Sequence, residues 1–407
     1  MLKKIKVADL DIGMHLHKLC GPWMSHPFFR TSFKLTDPRD IQRIVDSGIR
    51  EVWIDPERGL DVDAVQPEER DAEAQIVLEP GVPGAAGPRV SLSEELHYAA
   101  RICAESKHAV LSMFHEARMG KAIEAERAMH LVDGISASVM RNPGALISLA
   151  RLKNADDYTY MHSVAVCGLM IALARQLGFD EQRTRDAGLA GLLHDVGKMA
   201  IPLEVLNKPG KLTDAEFALI KTHPEEGHRM LLRGKRVSEI ALDVCMHHHE
   251  KADASGYPQR LPNDGISQFA RMCAVCDVYD AVTSDRPYKK GWEPAEAVRK
   301  MAGWSNGHFE NRTFQAFVKA VGIYPIGTLV RLNSGRLGVI VEQSGQSLLS
   351  PMVKVFYSTK SQLRLPPELV DLADFRCSDK IAAVEDSAQW QFSDLEELWR
   401  GTSLRPW

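Results

Sequence analysis

The spacing of apolar and polar positions changes several times along the chain. Lys4 to Val7 alternates and reads as a strand, and so does Glu51 to Ile54. Between them Asp37-Pro38 opens a helix that closes at Gly48. No period holds from Pro56 to Arg89. There Pro67, Pro80, Pro83 and Pro88 mix with glycines and acidic residues, the composition of a linker or mobile loop. Helical spacing begins after Ser91 or Ser93, either of which can cap it. It runs to about Leu152, with Gly120 and Gly134 as the expected interruptions. Helices continue to about residue 322. Thr213 with Glu216 is a capping-box signal, preceded by a loop at Pro209-Gly210. Pro294, flanked by Glu293 and Glu296, suits a first helical turn. After Pro325 the period shortens to two. Gly327 to Leu332, Gly338 to Glu342 and Met352 to Tyr357 read as short strands around glycine turns, and Ser393 to Trp399 as a short amphipathic helix.

The predicted fold is therefore mainly α, with a small α+β unit at the amino terminus and a short β-rich region at the carboxy terminus. The expected boundaries are 1–55 for the first unit, 56–90 for the linker, 91–150 for a helical connector, 151–323 for the main helical domain and 324–407 for the β-rich extension. At 44% hydrophobic residues the chain can bury a sizeable core. A net charge of −4 with both signs interspersed argues against a protein that coats nucleic acid or anionic membrane through bulk charge. No run approaches the ~18 to 20 apolar residues that span a bilayer. Met1-Leu2-Lys3-Lys4 leads into alternation, not into an apolar signal core, so the expected location is the cytoplasm. The seven cysteines are odd in number and scattered, which excludes a disulfide framework. Cys273 and Cys276 form a lone CxxC in a helical stretch and read as small core residues.

Histidine placement carries the chemistry. His162 lies in a helix spanning Tyr158 to Leu177. His194 and Asp195 are adjacent near the end of the next helix, just before Gly197-Lys198. His223-Pro224 opens a helix after a loop, His247, His248 and His249 run together before Glu250, and Asp277 lies on a helix starting near Ser267. Adjacent helical residues point about 100° apart, so a single metal seldom uses both. Two metals side by side can: the aspartate bridges them and its histidine neighbour serves one. Imidazole and carboxylate without thiolate suit Mn, Fe, Ni, Co or Mg better than a closed structural zinc site. Each piece alone has a bland explanation, a core or surface histidine; their ordered recurrence does not.

In this respect the chain resembles the HD-GYP branch of the HD-domain phosphohydrolases, over about Ala150 to Ile323. The resemblance rests on Leu193-His194-Asp195-Val196-Gly197-Lys198, His223-Pro224 with Gly227, His248-His249-Glu250, Asp253, and Ser255-Gly256-Tyr257-Pro258. It continues through Ala270-Arg271, Cys276-Asp277-Val278-Tyr279-Asp280-Ala281 and Ser284-Asp285-Arg286-Pro287-Tyr288-Lys289. Residues 1–54, with Gly13-Met14, Trp23 and His26-Pro27-Phe28, look like the uncharacterised amino-terminal domain often attached to this family.

The resemblance implies the metal ligands His162, His194, Asp195, His223, His248, His249 and Asp277, with Asp195 as the bridge. It implies two divalent cations. Tyr158 stands where some members carry a glutamate that helps to hold a third; neighbouring Asp157 points elsewhere on the helix. The implied reaction is hydrolysis of cyclic di-GMP to pGpG, and in a second step to GMP, by a hydroxide held between the two cations. Asp195 and Lys198 are the implied catalytic residues, Lys198 offsetting charge on the phosphoryl oxygens. Gly256, Tyr257, Pro258, Asp280, Arg286 and Lys289 are the implied substrate contacts. Asp280 has a second role open to it, orienting a histidine. Tyr257 is expected to be held exposed, for stacking on a purine. Ala254 stands where the family usually has glycine, and alanine is expected to deny the loop a positive φ. The alternative is a catalytically weak cyclic-dinucleotide receptor that signals through a protein partner. A phosphodiesterase of mixed purine cyclic dinucleotides is a third reading. Diguanylate cyclases or other signalling proteins are the candidate partners, and the long helix after the linker could pair two chains as a homodimer.

Overall fold

A computed structural model describes residues 2–19, 33–36, 40–41, 44–45, 51–56, 58–60, 90–151, 158–208, 210–285, 290–304, 307–344 and 347–401. Asp40, Ile41, Ile44 and Val45 of the helix expected to open at Asp37-Pro38 are helical; the rest of that helix, most of the expected linker, Trp23, His26-Pro27-Phe28, Asp157, Arg286 and Lys289 lie outside these. The chain divides into two compact units, Met1–Pro80 and Gly81–Trp407.

In the first unit, β1 (Lys3–Lys6), β2 (His15–Leu19), β3 (Phe33–Lys34) and β4 (Glu51–Ile54) form an antiparallel sheet in the order β1-β4-β2-β3. Alternation puts Ile5, Leu16, Val52 and Ile54 into one small core with Val7, Leu10, Met14 and Leu35.

The second unit starts with α1 (Leu92–Arg118), α2 (Ala125–Arg141) and α3 (Pro143–Arg151). Ser91 caps α1 in a reciprocal box with Glu94. Gly120, at φ +80°, follows its end, but Gly134 does not interrupt: it lies inside α2. A Cβ there would stand 3.2 Å from Ile102, so that glycine serves the packing of α2 against α1 instead. The buried Glu95 of α1 binds Arg141 (2.6 Å) and Ser138 (2.7 Å) of α2, which ties the pair together.

There follow α4 (Tyr158–Gln176), α5 (Glu181–Leu193), a 3₁₀ turn at Val196–Ala200, α6 (Leu203–Leu206), α7 (Asp214–Ile220), α8 (His223–Leu232), α9 (Glu239–His247), α10 (Gln268–Thr283), α11 (Pro294–Ala302) and α12 (Asn311–Val321). Thr213 caps α7 with Glu216, Ser267 caps α10, and Pro294 sits in the first turn of α11. Helices α4 and α10 are apolar on nearly every side, as central helices must be. They carry much of the main core, from Met161 to Ala174 and from Phe269 to Tyr279. Cys273 and Cys276 are buried there, and burial raises both thiols well above their usual pKa. Among the polar residues of these two helices, His162, Asp277 and Asp280 are buried and must find partners inside. No described helix is long and apolar enough to cross a membrane.

The chain ends in an antiparallel sheet of order β8-β7-β6-β5-β9, with β5 (Leu329–Leu332), β6 (Arg336–Glu342), β7 (Met352–Ser358), β8 (Leu363–Asp371) and β9 (Ile381–Val384). One face gives Leu329, Leu337, Val339, Val341 and Phe356 to the helical core. The other makes a core of its own from Val330, Leu332, Ile340, Val353 and Val355. Strand β8 did not read as a strand, because Pro366-Pro367 removes two ladder donors. It is an edge strand, and its register against β7 shifts between Val355 and Tyr357. The short helices α13 (Ser387–Trp390) and α14 (Leu395–Arg400) follow. The mainly helical fold with two small sheets is the one expected.

Candidate metal centre

Three histidines sit where helices end. His194 caps α5, His248 caps α9, and His223 follows the last turn of α7 by two residues. A helix end leaves carbonyl oxygens without intrahelical partners. Each of these rings turns back on such a turn. Nδ1 of His194 donates to Gly191 O (2.8 Å), that of His223 to Ile220 O (2.7 Å), and that of His248 to Val244 O and Cys245 O (both 3.1 Å). Carbonyls only accept, so the proton is on Nδ1 and each Nε2 lone pair is bare. His162, mid-way along α4, uses a carboxylate for the same purpose: Nδ1 donates to Asp280 Oδ2 at 2.6 Å.

The four Nε2 atoms converge on Asp195. Its Oδ2 lies 3.5 Å from His162 Nε2 and 3.4 Å from His194 Nε2; its Oδ1 lies 3.3 Å from His223 Nε2 and 3.8 Å from His248 Nε2. Asp277 adds Oδ1 at 3.0 Å from His162 Nε2 and Oδ2 at 3.8 Å from His249 Nδ1. The donor atoms thus fall into two groups that share Asp195, one with His162 and His194, the other with His223, His248 and His249. Atoms each about 2.1 Å from one cation stand about 3.0–3.4 Å from one another, close to several of these separations.

The residues fit divalent cations on two further counts. His194 Nε2 and Asp195 Oδ1 are buried and have no hydrogen-bond partner among the described residues. His223 Nε2 and His248 Nε2 lie 3.2 Å apart, although the proton of each ring is already committed at Nδ1. Two bare lone pairs at that distance repel unless a cation lies against both. HD domains bind divalent metals, and this cluster is able to hold them.

Charge supports the same arrangement. Burial pushes the His248 pKa far down, and brings that of His249 to about 3, so both rings stay neutral and able to ligate. Burial works against ionising Asp195 and Asp277. The Lys198 ammonium and His194 outweigh it at Asp195, and the His162 ring outweighs it at Asp277, so both carboxyls sit below their usual range. His162 runs the other way: burial opposes its protonation, but Asp277 and Asp280 outweigh it and raise its pKa, so this ring must give up a proton before Nε2 can ligate. Lys198 reaches Asp195 from one turn away and keeps its side chain 21% exposed.

The Gly-Tyr-Pro turn lies beside this cluster. Glu250, only 2% exposed, accepts from Gln259 N (2.7 Å) and Leu261 N (3.1 Å) and so pins the chain after the turn. Its role was not evident in the sequence, where it was only the residue after three histidines. A Cβ on Gly256 would meet the backbone of Glu250 and Lys251 at 2.5 Å, so glycine is what lets the turn lie on that segment. Tyr257 differs from the exposed platform expected. Its ring is half-buried with its centroid 4.7 Å from that of His249. Asp280, at 3% exposure, is bound to His162, which is the orienting role that was also open to it.

Ala254 holds φ +60° in spite of its side chain. A left-handed L-residue costs about 1–2 kcal/mol, part of which glycine would give back through its more flexible unfolded chain. Ala254→Gly is therefore expected to raise stability by about 1 kcal/mol, read as a higher urea midpoint at unchanged slope. A lower midpoint would mean that the alanine is not strained.

Residues 141–312 match the HD domain, and residues 2–128 match a domain of unknown function, DUF3391. The latter match runs well past residue 54, where the amino-terminal resemblance was read to stop, and takes in α1. Cyclic di-GMP phosphodiesterase PA4108 of Pseudomonas aeruginosa is 56% identical over 403 residues, which cover 98% of this chain and 96% of that protein. Cyclic di-GMP phosphodiesterase response regulator RpfG of Xanthomonas campestris pv. campestris is 37% identical over 180 residues, 42% of this chain and 47% of its own. The 3'3'-cGAMP-specific phosphodiesterase 2 of Vibrio cholerae is 38% identical over 148 residues, 36% of this chain and 28% of its own.

Proposed function

This chain belongs to the HD-domain cyclic di-GMP phosphodiesterases of HD-GYP type, and we propose that it hydrolyses cyclic di-GMP to linear pGpG at the cluster around Asp195. The observation that carries this reading is the shared carboxylate. One oxygen of Asp195 faces His162 and His194 and the other faces His223 and His248, as a bridge between two cations requires.

When bound, the cation pair supplies a hydroxide at neutral pH and positive charge against the phosphoryl oxygens. The chain's own residues do the rest. Gly191, Ile220, Val244 and Asp280 fix the tautomers, so every Nε2 is presented without a search among rotamers. Lys198 stands at the wetter edge of the cluster, where its ammonium can meet a phosphoryl oxygen as charge develops there. Tyr257, against His249, makes one wall of the approach. The intact ligand set favours an enzyme over a receptor.

Purified full-length protein, supplied with Mn²⁺ or Fe²⁺, is expected to hold about two metals per chain and to release pGpG from cyclic di-GMP. Metal analysis and product chromatography check this. Tight binding of cyclic di-GMP without turnover would make it a receptor. Faster turnover of 3'3'-cGAMP would move it to the mixed dinucleotides.

A further inference from the structure

Between the turn that bears Lys198 and the helix that His223 opens, the chain makes an excursion through α6 and α7. Neither helix buries a side chain. Polar contacts hold it instead: the Thr213–Glu216 box, and Lys208 Nζ on both oxygens of Glu216 at 2.8 and 2.7 Å. Phe217 on this excursion is 47% exposed. Exposure of one phenylalanine would mean nothing by itself; its place in a row of contacts does.

That row starts at the cluster. The ring of His249 lies 4.1 Å from that of His248, and Tyr257 lies 4.7 Å beyond His249. Lys221 Nζ is 5.4 Å from the Tyr257 ring and 4.6 Å from the Phe217 ring, between the two. No described carboxylate pairs with Lys221. Aromatic faces hold an ammonium in place without neutralising it. The row therefore presents a positive charge and an open ring, one step outward from Tyr257.

A cyclic dinucleotide has two phosphates and two purines, and only one phosphate can sit on the cluster. Resting on the reading above, we infer that Phe217 and Lys221 form a second subsite for the half of the dinucleotide that is not being cut. Lys221 pairs with the distal phosphate, a task that suits a flexible point charge. Phe217 stacks the distal purine, as exposed rings do for bases in sequence-tolerant sites.

The test compares cyclic di-GMP with bis(p-nitrophenyl) phosphate, a diester with neither a second phosphate nor a purine, on Mn²⁺-loaded full-length protein. Phe217→Ala and Lys221→Gln are each expected to raise KM for cyclic di-GMP, and its equilibrium Kd, about 10-fold. For both variants kcat stays within about two-fold of the parent, while metal content and the rate on the small diester are unchanged. Phe217→Tyr and Lys221→Arg are expected to restore the parent KM. Equal losses on both substrates would make these residues supports for neighbouring His223 and overturn the subsite. Parent-like KM and Kd in both variants would also overturn it. A parent protein that cuts the small diester but neither binds nor cuts cyclic di-GMP would sink the substrate assignment itself, and the subsite with it.

Discussion

Asp195→Ala is expected to lower cyclic di-GMP hydrolysis by about 1,000-fold or more and to strip the purified protein of both cations. Among the described residues it alone belongs to both groups of mutually close donors, although Asp277 also reaches one histidine of each. Loss of any single histidine removes one ligand from one group, and the remaining donors can still hold a cation weakly. Loss of Asp195 takes a carboxylate from both groups at once, and leaves His223 Nε2 and His248 Nε2 facing no carboxylate among the described residues. The fold is expected to survive. Lys198, the cation paired with Asp195, is partly exposed and can turn to water, so no unpaired charge is trapped. His248 and His249 are held neutral by burial, and the core around α4 and α10 is apolar. Circular dichroism should therefore overlay that of the parent while metal content falls. Retention of both cations, or turnover within tenfold of the parent, would show that Asp195 is not the bridge.

The residues that converge on Asp195 were legible in the sequence because their motifs are local. His194 and Asp195, or His248 and His249, are neighbours, and a helix end forces such neighbours into fixed relative directions. The choice of nitrogen was not read, although its cause is also local. Nδ1 of His194, His223 and His248 finds an acceptor three or four residues back, among the carbonyls of the turn before it. A histidine at the last turn of a helix carries that signal. The partner of His162 could not be read in this way, since Asp280 lies 118 residues away and faces it only once α4 and α10 pack.

Caps and helical periods were read correctly where one rule acted alone, as at Ser91, Thr213 and Pro294. The errors fall where packing overrules a local preference. Gly134 reads as a break until α1 is brought against α2. Ala254 reads as barred from a positive φ, yet it adopts one between Asp253, whose carboxylate accepts from Ser255 N at 2.9 Å, and the pinned Gly-Tyr-Pro turn. Strand β8 was not among the strands read; its Pro366-Pro367 is tolerated because the strand lies at the sheet edge and its register against β7 shifts at those residues.

Gly197→Ala is the substitution expected to do most damage per atom added. A Cβ at Gly197 would lie 1.8 Å from His223 O, 2.4 Å from Gly227 N and 2.8 Å from Gly227 Cα. All three are backbone atoms, so no side chain can swing aside; the 3₁₀ turn and α8 must move apart. Gly227 cannot yield either, because its own Cβ position lies 2.6 Å from Cys245 Sγ. The two glycines are thus the contact at which Asp195 and Lys198 on one segment meet His223 on the other. The expected cost is about 3 kcal/mol of stability, at the upper end for overpacking. Activity is expected to fall by more than about 100-fold, since a misplacement near 1 Å is enough for that. Gly265→Ala is the control: its nearest neighbours would be at 3.4 Å, ordinary contact, and it is expected to change stability by less than about 0.5 kcal/mol. Urea denaturation and metal analysis of both variants decide the matter. If Gly197→Ala binds metal and unfolds like the parent, the two segments tolerate separation, and the 3.3 Å approach of Asp195 to His223 is not what the glycine pair exists to hold.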